Sequence, residues 1–102
     1  MKTVKVSANL MNFIGQDVPP TGTPEWRAWE LKCKEFGKDD LPAFLSILKS
    51  GTVAEQYASL LALRTLGYEA HGHGYGKSLA YTVKVGNKTR RIRPDSRAAA
   101  HA

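Results

Sequence analysis

The sequence predicts one α+β domain in which three helices pack on a small antiparallel sheet with a C-terminal β-hairpin. Apolar residues recur at helical spacing in the middle of the chain and alternate near its end. Hydrophobic residues make up 42% of the 102 residues and charged residues 24%, as in globular proteins. We therefore predict a single domain over residues 1–94 and a disordered basic, alanine-rich tail over residues 95–102.

The first element is predicted to be a half-buried strand. Four apolar residues alternate there with polar ones: Val4, Val6, Ala8 and Leu10. A period of two is typical of a strand with one buried face. A loop is expected over residues 15–23, stiffened by two consecutive prolines.

Helix one is predicted to follow Thr23, a good N-cap, with Pro24 in its first turn and Gly37 at its end. Four residues share one face at 100° per residue and are expected to lie in the core: Trp26, Trp29, Cys33 and Phe36. Cys33 is therefore interpreted as a buried, inert thiol rather than a nucleophile.

Helix two is predicted from about Leu41 to Lys49, preceded by Asp39 or Asp40. Its buried side is expected to carry Leu41, Phe44, Leu45 and Leu48.

Helix three is predicted to begin at a capping box formed by Thr52 and Glu55 and to end at Gly67 in a Schellman-type turn. Its apolar stripe contains Val53, Tyr57, Leu60 and Leu61. Arg64 follows the same stripe, and we interpret it as a cation that meets the helix C-terminal dipole and extends outward.

Three strands are predicted after helix three: Tyr68–Gly74, Leu79–Val85 and a third that follows a two-residue turn at Gly86-Asn87. That turn fixes the pairing of the last two strands. It places Val85 opposite Lys88, Val83 opposite Arg90, Tyr81 opposite Ile92, Lys84 opposite Thr89 and Thr82 opposite Arg91.

This order of elements is winged-helix-like, with helix three in the place of a recognition helix. The least apolar face of helix three lacks the Arg, Lys, Asn or Gln that read base edges. Its small residues suit packing against another helix, so we predict a partner-binding face made of Glu55, Ala58, Ser59 and Ala62.

The net charge of +6 is confined to the end of the chain. Residues 1–76 hold eight basic and eight acidic residues, whereas residues 77–102 hold seven basic residues and one acidic residue. Such segregation favours a polyanionic partner, either nucleic acid (DNA or RNA) or an acidic protein surface. The alternative is a solvated hairpin whose charges discourage edge-to-edge aggregation. The candidate phosphate-binding residues are Lys84, Lys88, Arg90, Arg91 and Arg93, assisted by Lys77 and Arg97.

The glycine-rich stretch over residues 71–78 ends in Gly-Lys-Ser but is not a nucleotide-binding loop. That motif requires a glycine where His71 stands and a helix after the loop, and here a strand is predicted. His71 and His73 would share a strand face and could offer two metal ligands. A third ligand from Cys33 or His101 is not suitably spaced, so no metal site is predicted.

The order helix, Gly67-Tyr68, strand, histidine-bearing turn, aromatic strand and basic strand resembles small RNA-cleaving toxins built on a double-stranded-RNA-binding fold. The resemblance covers about residues 55–93, and the closing helix of that fold has no counterpart here. It implies a ribonuclease in which His71 or His73 would act.

The leading hypothesis is a small accessory nucleic-acid-binding protein that is not an enzyme and uses no cofactor, with little base-specific reading. The alternatives are an adaptor or inhibitor that binds a protein through helix three and the basic hairpin, and a histidine-dependent ribonuclease.

No stretch approaches the roughly 20 apolar residues of a membrane span. Lys2 and Lys5 interrupt any signal sequence, and a single cysteine excludes an internal disulfide. We therefore predict a cytoplasmic protein without a membrane partner.

Overall fold

Four helices precede a three-stranded sheet in the computed structural model, which describes residues 8–74 and 78–95. The helices are α1 (Ala8–Ile14), α2 (Pro24–Cys33), α3 (Leu41–Ser50) and α4 (Val53–Thr65), with a 3₁₀ turn at Lys38–Asp40 before α3. The strands are β1 (Glu69–His73), β2 (Ala80–Val85) and β3 (Lys88–Ile92). They form one antiparallel sheet in the order β1-β2-β3. The predicted α+β class is confirmed.

A helix, α1, stands where the alternating pattern predicts a strand, so that prediction is wrong over the described part of the segment, Ala8–Leu10. Leu10, Phe13 and Ile14 repeat at helical spacing and are buried. Phe13 stacks on Trp29 of α2 with the ring centroids 5.1 Å apart. Burying each such side chain contributes roughly 1.5–3 kcal/mol, and only a helix turns all three to one side.

Helix α2 begins as the sequence predicts. The Trp26 N–H donates to Thr23 Oγ1 over 3.1 Å, and Pro24 occupies the first turn. Trp29 and Cys33 are buried, while Trp26 packs at the edge of the core. The helix ends at Cys33, four residues earlier than predicted.

Helix α4 has both predicted ends. Thr52 N–H donates to Glu55 Oε1 over 2.7 Å and Glu55 N–H donates to Thr52 Oγ1 over 3.2 Å, which closes the capping box. At the other end Gly67 has φ +99° and Tyr68 N–H donates to Leu63 O over 3.0 Å, as in a Schellman motif.

The small-residue face of α4 lies inside the core. Ala58, Ser59 and Ala62 are buried, whereas Val53 and Tyr57 are 45% and 57% exposed. The predicted orientation of this face is therefore wrong. The physical reason is close approach, because small side chains let neighbouring helices reach the α4 backbone.

The contact between α2 and α4 shows this approach directly. The Cys33 Sγ–H donates to Ala62 O over 3.5 Å, and both residues are buried. A larger side chain at position 62 would push α2 away from α4.

The hairpin has the predicted register. All five pairs expected between the last two strands are present, from Val85 opposite Lys88 to Tyr81 opposite Ile92. Gly86 in the turn has φ +63°, a conformation that suits glycine at the first position of a two-residue hairpin loop.

One face of the sheet packs on the helices. Ala70 and Val83 are buried there, and the Tyr81 ring crosses β1 where a Cβ on Gly72 would lie 3.3 Å from it. The Tyr81 hydroxyl donates to Gln56 Oε1 of α4 over 2.9 Å. This packing leaves the other face of the sheet turned away from the helices.

Candidate nucleic-acid interface

The face of the sheet that points away from the helices carries polar side chains on all three strands. Because side chains alternate along a strand, residues paired with each other across the ladder share this face. The face contains Glu69, His71 and His73 of β1, Thr82 and Lys84 of β2, and Thr89 and Arg91 of β3. These polar residues are exposed except Thr82, which is half-buried, whereas Ala80, paired with His73 on the same face, is buried.

A row of three side chains crosses the centre of this face. His71 is opposite Thr82 and Thr82 is opposite Arg91 in the two ladders. At about 4.8 Å between strands, the Cα atoms of His71 and Arg91 are about 10 Å apart. The row therefore offers an imidazole, a hydroxyl and a guanidinium to one ligand.

His73 joins the same row through a side-chain contact. Its Nε2 lies 3.0 Å from Thr82 Oγ1, so the ring leans towards the middle strand. The rings of His71 and His73 have centroids 6.4 Å apart, with their planes tilted by 55°. The two imidazoles therefore lie side by side without stacking on each other.

The predicted phosphate-binding residues divide between the two faces of β3. Arg91 lies on the open face as a diagonal neighbour of Lys84, while Lys88 and Arg90 are paired with residues of the helix-packed face. Lys88 and Arg90 remain exposed because β3 is an edge strand. Arg93 is exposed just beyond β3. The remaining two candidates, Lys77 and Arg97, lie outside the described residues.

The charges on the hairpin are available to a ligand. Among the residues that the structure describes, Lys84, Lys88, Arg90 and Arg91 make no side-chain hydrogen bond or ion pair. Glu69 is opposite Lys84 in the ladder and offsets part of its charge. Arg91, opposite Thr82, has no acid opposite it and is the best placed cation for an anionic ligand.

The hairpin does not project as an isolated ribbon. Strand β1 pairs with β2 from Ala80 to Lys84, so only the tip from Val85 to Lys88 extends past the end of β1. The accessible surface is therefore a three-stranded face rather than a two-stranded arm.

The predicted partner-binding residues of α4 do not form a surface. Ala58, Ser59 and Ala62 are buried, and the Glu55 side chain closes the capping box. Arg64 is also structural, since its Nε–H donates to Ala70 O over 2.6 Å and joins the end of α4 to β1.

The sequence predicts His71 and His73 on one face of a strand but does not bring them, or Thr82, to the cations of the hairpin. The alternation of Glu69, His71 and His73 marks three polar residues on one side of β1, without indicating which residues of β2 they meet. The connection between β1 and β2 has no standard two-residue turn, so their register could not be derived in advance.

No group of three or more His, Cys, Asp or Glu that could hold a metal ion occurs within residues 8–74 and 78–95. Cys33, one of the weighed ligands, is buried between helices, and burial raises the pKa of its thiol to about 11. The thiol there is held in its neutral form.

Helices long and apolar enough to cross a bilayer do not occur in the described part of the chain. Comparison with known protein families, with curated proteins and with solved structures finds no match to this sequence. The function must therefore be argued from the side chains of this chain alone.

Proposed function

We propose that this chain is a small accessory nucleic-acid-binding protein that holds phosphates on the open face of its sheet. The observation that carries the proposal is the placement of Lys84 and Arg91 as diagonal neighbours on that face, both exposed and, within the described residues, without a side-chain hydrogen bond or ion pair. Arg suits this role because its guanidinium can hold a phosphate with two parallel hydrogen bonds. Lys88, Arg90 and Arg93 would extend the positive field around the edge of the sheet.

Helix α4 has few exposed side chains that could form hydrogen bonds with base edges. This favours binding through the sheet over binding through a recognition helix, as in winged-helix proteins. The exposed residues of α4 include Val53, Ala54 and Tyr57, and its one amide side chain, Gln56, is buried and bonded to Tyr81. A recognition helix needs exposed donors and acceptors in the major groove. We therefore expect binding through phosphates with little dependence on base sequence.

An adaptor role through α4 would require surface that this fold does not expose, because Ala58 and Ala62 are buried. An acidic protein could still meet the basic hairpin, since its attraction is also electrostatic. The two partners differ in chemistry, so a direct binding assay with nucleic acid separates them.

The test is fluorescence anisotropy with labelled duplex DNA, single-stranded DNA and RNA at low and moderate salt. We expect binding that weakens steeply with salt, because phosphate contacts release counterions. Arg91→Glu should weaken binding about tenfold or more, the loss of a charge-assisted bond plus the repulsion of the new carboxylate. The slope of log K against log salt should fall by about one.

Two matched variants show whether the effect belongs to the face or to net charge. Arg90→Glu makes the same change on the other side of the same strand, and Arg27→Glu makes it on the exposed side of α2. Both should weaken binding by a smaller factor than Arg91→Glu. An affinity that does not change with salt concentration, or an equal loss of affinity in all three variants, would contradict a phosphate site on the open face.

The same samples test the ribonuclease hypothesis, which the placement of His71 and His73 on the same face of the sheet as Arg91 keeps open. RNA recovered after the binding experiment is run on a denaturing gel. Cleavage that disappears in a His71→Ala, His73→Ala variant would support an enzyme, and intact RNA would argue against one.

A further inference from the structure

We infer that the preferred ligand is a single strand of nucleic acid lying across the open face, with bases stacked on His71 and His73 and the backbone held by Arg91 and Lys84. The inference rests on the proposed function and names the form of nucleic acid that the same face accepts. It follows from the shape of the face, the two imidazole rings and the position of the cations relative to them.

The shape of the face disfavours a duplex. An α-helix or a two-stranded ribbon fits the major groove, which is about 12 Å wide. Here β1 flanks β2 as far as Lys84, so the hairpin cannot enter a groove beyond its tip at Gly86-Asn87. A single strand needs no inserted element and can lie flat on three strands.

The two imidazoles provide stacking surfaces for unpaired bases. Both side chains are exposed, and a 55° tilt over 6.4 Å leaves them unstacked on each other. The contact of His73 Nε2 with Thr82 Oγ1 restrains one ring before any ligand arrives. Single-stranded nucleic acid is commonly held by aromatic rings beside cations, and histidine is among the side chains that stack on bases.

The cations lie on the two strands next to the ring-bearing strand: Lys84 on the middle strand β2 and Arg91 on edge strand β3. His71 is on edge strand β1 and Arg91 is on edge strand β3, with Thr82 between them. A strand whose bases turn towards β1 would place its phosphates over Lys84 and Arg91. Rings on β1 and cations on β2 and β3 give the ligand one orientation of base and backbone.

The experiment compares a labelled 12-nucleotide oligothymidine, the matching oligouridine and the duplex of the first with its complement. The protein variants are His71→Ala/His73→Ala and His71→Phe/His73→Phe. We expect the single strands to bind more tightly than the duplex. The alanine pair should weaken single-strand binding about tenfold or more, a larger factor than for the duplex, and should leave the salt slope unchanged.

The phenylalanine pair is the decisive variant, because it keeps an aromatic face and removes both ring nitrogens. It should retain single-strand affinity within about threefold of the native protein. Circular dichroism and thermal melting check that both double variants fold, as expected for exposed side chains.

The outcomes distinguish this inference from the proposed function. If the duplex bound as tightly as the single strands, or if the phenylalanine variant bound single strands as weakly as the alanine variant, this inference would be overturned. The proposal that the face binds phosphates would then remain. Absence of binding to every oligonucleotide at low salt would overturn both.

Discussion

Cys33 shows how burial controls the chemistry of a single side chain. The thiol lies between α2 and α4 with its Sγ–H directed at Ala62 O, and desolvation raises its pKa to about 11. A buried thiol that stays protonated is a poor nucleophile and a poor metal ligand. The sequence pattern predicted this role correctly, because Cys33 belongs to the apolar stripe of α2.

This pKa makes the stability of the protein depend on pH in the alkaline range. A free thiol ionises near pH 8.5, so between pH 8 and 10 the unfolded chain loses the proton while the folded chain keeps it. The contribution of the thiol to the unfolding free energy is therefore complete below the pKa of the unfolded chain. It declines as pH rises towards the pKa of the folded chain. We expect a loss of about 2 kcal/mol in unfolding free energy between pH 8 and 10.

Urea denaturation at several pH values measures this loss, with Cys33→Ala as the control. The variant lacks the thiol but keeps every other titrating group, so its stability should fall less over the same interval. Parallel pH profiles for the two proteins would show that the thiol does not contribute.

The junction between α4 and the sheet is a side-chain network that reaches three elements. Gln56 accepts from the Tyr81 hydroxyl over 2.9 Å and donates from Nε2 to Gly51 O over 2.9 Å, and its side chain is fully buried. It thus joins β2 to the turn between α3 and α4. Buried polar groups of this kind are costly to leave unpaired.

Removing either partner should destabilise the protein by different amounts. Tyr81→Phe leaves Gln56 Oε1 without its donor and should lower the unfolding free energy by about 1–2 kcal/mol. Gln56→Ala leaves two groups unpaired and opens a cavity, so we expect about 2–4 kcal/mol. Thermal or urea unfolding measures both changes.

Tyr57→Phe is the matched control for the tyrosine change, because that hydroxyl is on the exposed side of the same α4 helix. It should alter stability by less than about 0.5 kcal/mol. If Tyr81→Phe were equally silent, the hydrogen bond to Gln56 would not support the fold.

Elements with local signals were predictable from the sequence, and orientations set by packing were not. The hairpin register follows from one turn at Gly86-Asn87, and the ends of α4 follow from Thr52 and Gly67. The inward face of α4 depends instead on how closely its neighbours approach, which hydrophobicity alone does not report. Over Ala8–Leu10 the alternating pattern was outweighed by the core contacts of α1.

At the scale of the whole molecule, the segregation of charge could be predicted from the sequence. The candidate nucleic-acid interface could be predicted only in part. The cations of β2 and β3 were identified, and the predicted hairpin register already placed Lys84 and Arg91 on the face opposite to that of Val83 and Val85. The two histidines joined them only through the pairing of β1 with β2. The pairing of two strands joined by a six-residue connection, for which no turn residues define the register, is the information that a single sequence does not carry.

The same segregation makes the molecule an electric dipole, with a nearly neutral body and a positive end at the β2–β3 hairpin. In the field of a polyanion a dipole experiences a torque. The torque would rotate the molecule until the sheet faces the polyanion, before any contact forms. The Debye length is about 30 Å at 0.01 M salt and about 8 Å at 0.15 M. Salt should therefore shorten the distance over which a polyanion orients the molecule. It should lower the association rate constant with a polyanion as well as the binding affinity.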